Sequence, residues 1–193
     1  FYSDDTTEFS YPSRKRRKLN EEELKFIHYF PEITVIHMSD QNLTDAGLYY
    51  FKELRNLQAI SFGGTKITDK GLKYLKQASK LDTIRLDNTR ITDLGLKYLS
   101  EIEFEGPVIE MNLSSTKITD EGLKYLKKIT ISGELVLRNT AITDAGLKYL
   151  AGQKKVYEID LRDTKVTEKG AEWLKKQLNK NSIYYGKYVK EEW

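Results

Sequence analysis

The stretch that decides the fold reads Ile67-Thr68-Asp69-Lys70-Gly71-Leu72-Lys73-Tyr74-Leu75. Close copies span residues 91–99, 118–126 and 142–150, and looser copies span residues 43–51 and 166–174. The glycines of successive copies are separated by 24, 24, 27, 24 and 24 residues. A fixed period in this range is typical of stacked repeat arrays, in which each repeat is one supersecondary unit. The sequence therefore predicts a repeat solenoid.

Each copy follows a short strand pattern, of which Leu57-x-x-Ile60-x-Phe62 is an example. Apolar residues alternate in this segment, and the period changes to that of a helix after Thr68-Asp69. One strand, one turn and one helix are thus expected in every repeat. The fifth copy is degenerate, because Ser132 stands at the first apolar position before Leu135.

Three positions of the repeat have a predictable structural role. The threonine is the best N-cap candidate, and the Asp or Glu after it lies where the helix dipole favours a negative charge. Glycine inside a helix costs up to about 1 kcal/mol relative to alanine, so its recurrence predicts a close approach by a neighbouring coil. The threonines are Thr44, Thr68, Thr92, Thr119, Thr143 and Thr167.

A tyrosine and a lysine flank the buried leucines of each helix. The tyrosines are predicted to be half-buried between adjacent coils with their hydroxyl groups in water, and a binding platform is the alternative. The lysines are expected on a solvated convex face. The two sets are Tyr50, Tyr74, Tyr98, Tyr125 and Tyr149, followed by Trp173, and Lys73, Lys97, Lys124 and Lys148.

The repeat resembles the leucine-rich repeats of the Thr-Asp-x-Gly-Leu type, a bacterial relative of the cysteine-containing class. That pattern is matched from Leu57 to Leu75, and the resemblance covers about residues 33–185. It implies an α/β leucine-rich repeat solenoid, a curved right-handed coil with parallel strands on the concave face and helices on the convex face. It also implies protein recognition as the usual role. Threonine takes the asparagine or cysteine position of the pattern at Thr65, Thr89, Thr116, Thr140 and Thr164.

The two ends of the chain differ from the repeats. Residues 1–19 are expected to form a flexible leader that carries a basic run. Residues 20–32 are predicted to form an N-terminal capping helix, with Asn20 as its N-cap and Pro31 as its stop signal. Residues 33–193 then form the solenoid, with six repeats and a C-terminal capping strand at Ile183-Tyr184-Tyr185.

Composition narrows the class of protein. Of the 193 residues, 39% are hydrophobic and 32% are charged, and no apolar run approaches the roughly 20 residues of a membrane span. The absence of cysteine excludes disulfides and thiolate metal sites. The sequence begins at Phe1 without a signal-like segment, so a trimmed or mature fragment is expected. We expect a bacterial protein, exported or in the cell envelope if a signal precedes Phe1 and cytoplasmic otherwise.

Strand residues that flank the inward apolar positions are expected to face solvent on the concave side. One column reads Val35, Ala59, Thr83, Glu110, Glu134 and Glu158. A second reads His37, Ser61, Arg85, Asn112, Val136, Asp160 and Tyr184, and a third reads Ser39, Gly63, Asp87, Ser114, Arg138 and Arg162. The C-terminal half of this surface is therefore charged. Candidate partner-binding residues are Glu110, Glu134, Glu158, Arg138, Asp160 and Arg162.

The 27-residue repeat supplies a further candidate. Its three extra residues lie within 100–107, an alternating acidic and apolar segment that contains Phe104. Insertions in solenoids map to loops, often on the binding face. Phe104 is either an exposed anchor or a side chain folded under the helix.

No catalytic, cofactor or metal site is recognisable in the sequence. His28 and His37 lack metal-ligand spacing, and no His-Glu-x-x-His, Gly-x-Ser-x-Gly or phosphate-loop order occurs. The leading hypothesis is a non-enzymatic protein-recognition module that binds on the concave face. The alternative is a substrate-receptor or effector/anchoring module whose catalytic part lies outside this sequence. Weak nucleic-acid binding could come only from Arg14, Lys15, Arg16, Arg17 and Lys18.

Overall fold

The computed structural model describes residues 7–10 and 20–187. Eight parallel strands form one open sheet, and each strand pairs with its neighbours in sequence. The strands are β1 Glu8–Ser10, β2 Val35–His37, β3 Ala59–Ser61, β4 Thr83–Arg85, β5 Val108–Asn112, β6 Ile131–Val136, β7 Glu158–Asp160 and β8 Ile183–Tyr184. This order is that of coils stacked one after another, so the predicted α/β solenoid with parallel strands is confirmed.

Short helices follow the strands and pack side by side. They are α1 Asp45–Leu48, α2 Asp69–Leu72, α3 Asp93–Leu99, α4 Asp120–Leu126, α5 Leu147–Leu150 and α6 Glu168–Leu178, and 3₁₀ turns at Tyr49–Phe51 and Lys73–Leu75 extend the first two. Because most coils return to the sheet within 24 residues, most helices have only one or two turns. Within the described residues, no helix is both long enough and apolar enough to cross a membrane.

A continuous apolar core runs between the strands and the helices. Ile60, Leu72 and Leu75 show the pattern of every coil, since each is almost completely buried. The five repeat tyrosines are partly buried and pack against this core, as predicted. Trp173, predicted to end the series, is exposed instead. No single coil can bury its own apolar face, so the stack is stabilised by contacts between neighbours.

Five of the six repeat threonines cap their helices, as predicted. The hydroxyl of Thr92, for example, accepts a hydrogen bond of 3.2 Å from the N–H of Leu94. Equivalent bonds occur at the other five threonines. The exception is Thr143, which accepts the same kind of bond from Ala145 although α5 begins only at Leu147, with Gly146 as its N-cap. The cap satisfies one of the N–H groups that a helix leaves unpaired at its start.

The aspartate after each threonine joins two coils, a role that its sequence position alone did not predict. Asp69 accepts the Thr92 N–H at 2.8 Å and the Thr92 hydroxyl at 2.7 Å, one on each carboxylate oxygen. We call this arrangement the carboxylate clamp. It recurs in the pairs Asp45–Thr68, Asp93–Thr119, Asp120–Thr143 and Asp144–Thr167.

The carboxylate clamp also explains the repeat glycine. A Cβ atom on Gly95 would lie 2.6 Å from Asp69 Oδ1, and one on Gly122 would lie 2.3 Å from Asp93 Oδ1. Real side chains do not tolerate such distances, so the glycine makes room for the carboxylate of the preceding coil. The predicted collision with a neighbouring coil is therefore confirmed, and the colliding group is identified.

The N-terminal capping helix completes the series of clamps. It is a 3₁₀ helix at Glu21–Tyr29, capped by Asn20, and it buries Leu24 and Ile27. Glu21 takes the role of the repeat aspartate, since its two carboxylate oxygens accept the N–H and the hydroxyl of Thr44. The helix thus gives the first coil the contact that every later coil receives from its predecessor.

Two details differ from the sequence-based expectations. Residues 8–10, expected in a flexible leader, form β1 and pair with β2, whereas the basic run lies outside the described residues. In the fifth repeat Ile131, not Ser132, fills the buried position. One extra residue on β6 makes this possible, because Val108 pairs with Ile131 but Glu110 pairs with Glu134. The backbone is so close here that a Cβ on Gly133 would meet the Ile109 carbonyl.

The turn after each strand also recurs. Thr65, in the asparagine or cysteine position, donates its hydroxyl to the carbonyl of Phe62 at 2.7 Å, and the other four threonines do the same within their own coils. The preceding residue has positive φ in every coil. These residues are Asp40, Gly64, Asn88, Ser115, Asn139 and Asp163, and all but serine are residue types that favour this region.

Loss of one clamp should destabilise the stack. In the variant Asp120→Ala, the partly buried N–H and hydroxyl of Thr143 lose their acceptors, so we expect the free energy of unfolding to fall by about 1–3 kcal/mol. Denaturant unfolding followed by circular dichroism measures this change.

Glu168→Ala is the matched control. Glu168 occupies the same position at the start of α6, but no further repeat follows it in the described residues. The variant Glu168→Ala should change the free energy of unfolding by about 0.5 kcal/mol or less. Equal losses in the two variants would show that the acidic residue acts only on its own helix.

Candidate protein-binding surface

The strand register brings the predicted solvent-facing columns into line. We call the solvent-facing side of the sheet the strand surface. Its first column follows the pairing of Val35 with Ala59, of Ala59 with Thr83, and of Thr83 with Glu110. β1 adds Glu8 at the N-terminal end of this column. The second column also runs in register, from Ser10 to Tyr184. Its members Ser61, Val136 and Asp160 are buried, however, so the prediction that this whole column faces solvent is wrong.

The two halves of the strand surface differ in chemistry. In the N-terminal half, Glu8 begins the first column and is followed by the uncharged residues Val35, Ala59 and Thr83. The C-terminal half holds Glu110, Glu134 and Glu158 on directly paired positions, and we call these three the glutamate column. In-register strands are about 4.8 Å apart, so the three carboxylates are close enough to repel one another.

Glu110 at the edge of the glutamate column is compensated by an arginine. The guanidinium of Arg85 on β4 donates from Nε to Glu110 Oε1 at 2.6 Å and from Nη2 to Oε2 at 2.7 Å. This two-pronged geometry is the strong form of an arginine–carboxylate pair. Arg85 was not among the candidate site residues. Its diagonal offset from Glu110 across β4 and β5 is the signal in the sequence that could have found it.

Glu134 in the middle of the glutamate column has no such compensation. Burial raises the pKa of its carboxyl, and the charges of Glu158, Glu110 and Asp160 raise it further, while Arg85 opposes them weakly. Within residues 7–10 and 20–187, no hydrogen bond or ion pair reaches the side chain of Glu134 or of Glu158. The folded protein therefore carries an unfavourable charge arrangement at the centre of the surface.

Asp160 plays a different part from the other acidic candidates. Its side chain is buried, and Arg162 donates to its two oxygens from Nε at 2.9 Å and from Nη2 at 2.6 Å. Burial raises the pKa of Asp160, but the bonds from Arg162 outweigh it and the net shift is downward. Asp160 thus orients Arg162 beneath the ring of Tyr184, which lies 5.4 Å from the guanidinium carbon. It offers little surface of its own.

The structure separates Phe104 from the other candidates. The loop at 100–107 lies where α3 leads into β5, and Glu105 in this loop bonds to Ser79 of the preceding coil. Phe104 is partly buried and packs against the apolar core. This partial burial favours the alternative in which the side chain folds under its coil, and a binding role for Phe104 stays a prediction.

The acidic and histidine side chains do not form a metal site. No group of three or more histidine, cysteine, aspartate or glutamate side chains within the described residues is arranged to hold a metal ion. Buried side-chain nitrogen and oxygen atoms in the same part of the chain all have hydrogen-bond partners.

Comparisons with known proteins agree with this architecture. A family model described as Leucine Rich repeat matches residues 53–76 and 109–127. An internalin from Listeria monocytogenes has a similar structure, with a TM-score of 0.60 and 14% sequence identity, over 86% of this chain and 51% of that chain. This chain therefore spans about half the length of that internalin. No curated protein matches it in sequence.

The class of protein follows from the repeats, the sheet and these matches. The fold is a leucine-rich repeat solenoid, and the findings support a leucine-rich repeat protein. The narrower Thr-Asp-x-Gly-Leu type stays a prediction from the motifs.

Neutralising Glu134 should stabilise the free protein. Because the folded state raises the pKa of this carboxyl, the unfolded state binds fewer protons over the affected pH range, and stability falls as pH rises through it. The variant Glu134→Gln should then be more stable than the wild type at pH 7 by about 0.5 kcal/mol, a small value because solvent screens the charges.

The difference should shrink as the pH falls to the ordinary range of a glutamate and below, where Glu134 is protonated in both states. Urea unfolding at pH 7 and at pH 3.5 measures it, with Glu32→Gln at an exposed position as the control. A destabilised Glu134→Gln protein at pH 7 would contradict the repulsion.

Proposed function

We propose that this protein is a non-enzymatic recognition module that binds a partner protein on the C-terminal half of its strand surface. Glu134 and Glu158 would face basic groups of the partner. Arg138 and Arg162, on the neighbouring column, would face polar or acidic groups. A partner surface that is polar and partly basic fits this pattern best.

One observation carries this proposal. The glutamate column contains a repulsion that the chain relieves at Glu110 through Arg85 but leaves unrelieved at Glu134. A strand position that faces away from the core can hold an uncharged residue with little loss of stability, and Ala59 and Thr83 in the same column are examples. Binding sites commonly retain arrangements that lower the stability of the free protein. A basic partner would convert this repulsion into attraction.

The same surface serves the alternative function. In that case the solenoid is the substrate-receptor or effector/anchoring part of a longer protein, and the captured partner is delivered to a domain outside this sequence. The match covers only 51% of the internalin chain that has a similar fold. Both functions require the glutamate column, so an experiment on it tests them together.

Nucleic-acid binding through Arg14, Lys15, Arg16, Arg17 and Lys18 stays a prediction, because this basic run lies outside the described residues. An export or cell-envelope location likewise stays a hypothesis.

Reversing two charges of the glutamate column should abolish partner binding. We expect the variant Glu134→Lys/Glu158→Lys to lose a partner that the wild type captures, with affinity lowered at least a hundredfold, since two attractive pairs become repulsive. Affinity capture followed by surface plasmon resonance with the captured partner measures the loss.

Ala59→Lys/Thr83→Lys is the matched control, with two lysines placed in the same column on the N-terminal half. It should bind the partner within about threefold of the wild type. Circular dichroism should show the same helix content in all three proteins. Full capture by the glutamate-column variant would remove this surface from consideration.

A further inference from the structure

A basic cleft lies away from the strand surface, between the loops that lead from α4 to β6 and from α5 to β7. We call it the lysine cleft. Its volume is about 570 Å³, within the size range of sites for small molecules. It is lined chiefly by Lys127, Thr130, Lys148, Tyr149, Lys154 and Lys155.

The lysine cleft itself is lined by positive charge alone, although Lys155 and Thr130 also line an adjoining cleft that contains Glu103 and Glu105. None of the residues that line the lysine cleft is acidic, and no ion pair reaches its four lysines within the part of the chain that the structure describes. A cleft of similar volume between the preceding coils offers the contrast. There Arg55, Lys76 and Lys80 face Glu101, Glu103 and Glu105, so the charges balance within the lining.

Tyr149 holds two of the lysines together. The ammonium groups of Lys127 and Lys148 lie 5.0 and 4.9 Å from the centre of its ring. They are therefore no more than about 10 Å apart, which is comparable to the Debye length of about 8 Å at physiological salt. Contact with the ring face stabilises each cation but does not remove the repulsion between them. A multiply charged anion bound between Lys127 and Lys148 would remove this repulsion.

The floor of the lysine cleft does not repel an anion. Carbonyl groups at the end of a helix are unpaired by default and attract cations. Here the side-chain amide of Gln153 donates to the carbonyls of Leu126 and Ile129, at 2.7 and 2.9 Å. Its own oxygen accepts the N–H of Ile131 at 3.2 Å. The groups left to meet a ligand are the lysine ammonium groups and the Thr130 hydroxyl, and both can donate.

We propose that the lysine cleft binds a soluble ligand that carries two or more adjacent phosphate groups. Lysine acts as a point-charge donor to phosphate. One orthophosphate ion cannot balance Lys127, Lys148 and Lys155 together, whereas a chain of phosphates can. Lys154 is anchored by its bond to the carbonyl of Gln177 in the next coil, so it closes the side of the cleft. This site is independent of the glutamate column.

Isothermal titration calorimetry of the full chain with tripolyphosphate tests this proposal. The variant Lys127→Ala/Lys148→Ala should bind tripolyphosphate about tenfold more weakly than the wild type. Its control, Lys76→Ala/Lys80→Ala in the balanced cleft, should change the affinity less than twofold. All these lysines are exposed, so the melting temperatures should match. The wild type should bind orthophosphate at least tenfold more weakly than tripolyphosphate.

A uniform response would overturn the proposal. If both double variants lose affinity equally, tripolyphosphate senses only the general positive charge of the helix side. If Lys127→Ala/Lys148→Ala binds as the wild type does, the ligand occupies another basic segment of the chain. Equal affinity for orthophosphate would exclude recognition of adjacent phosphates.

Discussion

The carboxylate that joins one coil to the next is the interaction on which the rest of the structure depends. Asp69 accepts both the N–H and the hydroxyl of Thr92, and this leaves no space for a side chain on Gly95. Each contact therefore joins two coils. One coil supplies the aspartate, and the next coil supplies the threonine and the glycine. The chain changes this aspartate to glutamate only at its two ends, at Glu21 in the capping helix and at Glu168 in the last repeat.

The clamps lie at the start of the helices, so the side chains of the strand surface are not needed to join one coil to the next. Only every second residue of a strand is needed for the core. The others can vary, and the glutamate column shows a choice that lowers the stability of the free protein. Arg85 compensates the charge of Glu110 but not that of Glu134. A basic partner could therefore compensate the charge of Glu134. The lysine cleft has the opposite charge and lies among the loops that connect helix to strand.

The sequence predicted the elements within each repeat, but it did not predict the contacts that join one repeat to the next. Period and alternation were enough for the strands of the repeats and for five of the six N-cap threonines, because these depend on neighbours in the same coil. The nearly constant repeat length was enough for the column register. The clamp partner of Asp69 is 23 residues away, and nothing local indicates it. β1 was missed because three residues around Phe9 carry too short an alternation. The bulge at Gly133 moved Ile131 into the core, and no single repeat could show that one residue was extra.

The pKa of Glu134 tests the central claim most directly, because that claim is a charge conflict relieved by a basic partner. Titration of the Glu134 carboxyl carbon by ¹³C NMR, in the free protein and in complex with the captured partner, measures it. The pKa should lie above the ordinary glutamate value in the free protein and should fall in the complex. An ordinary value in the free protein, or a value unchanged by binding, would contradict the claim.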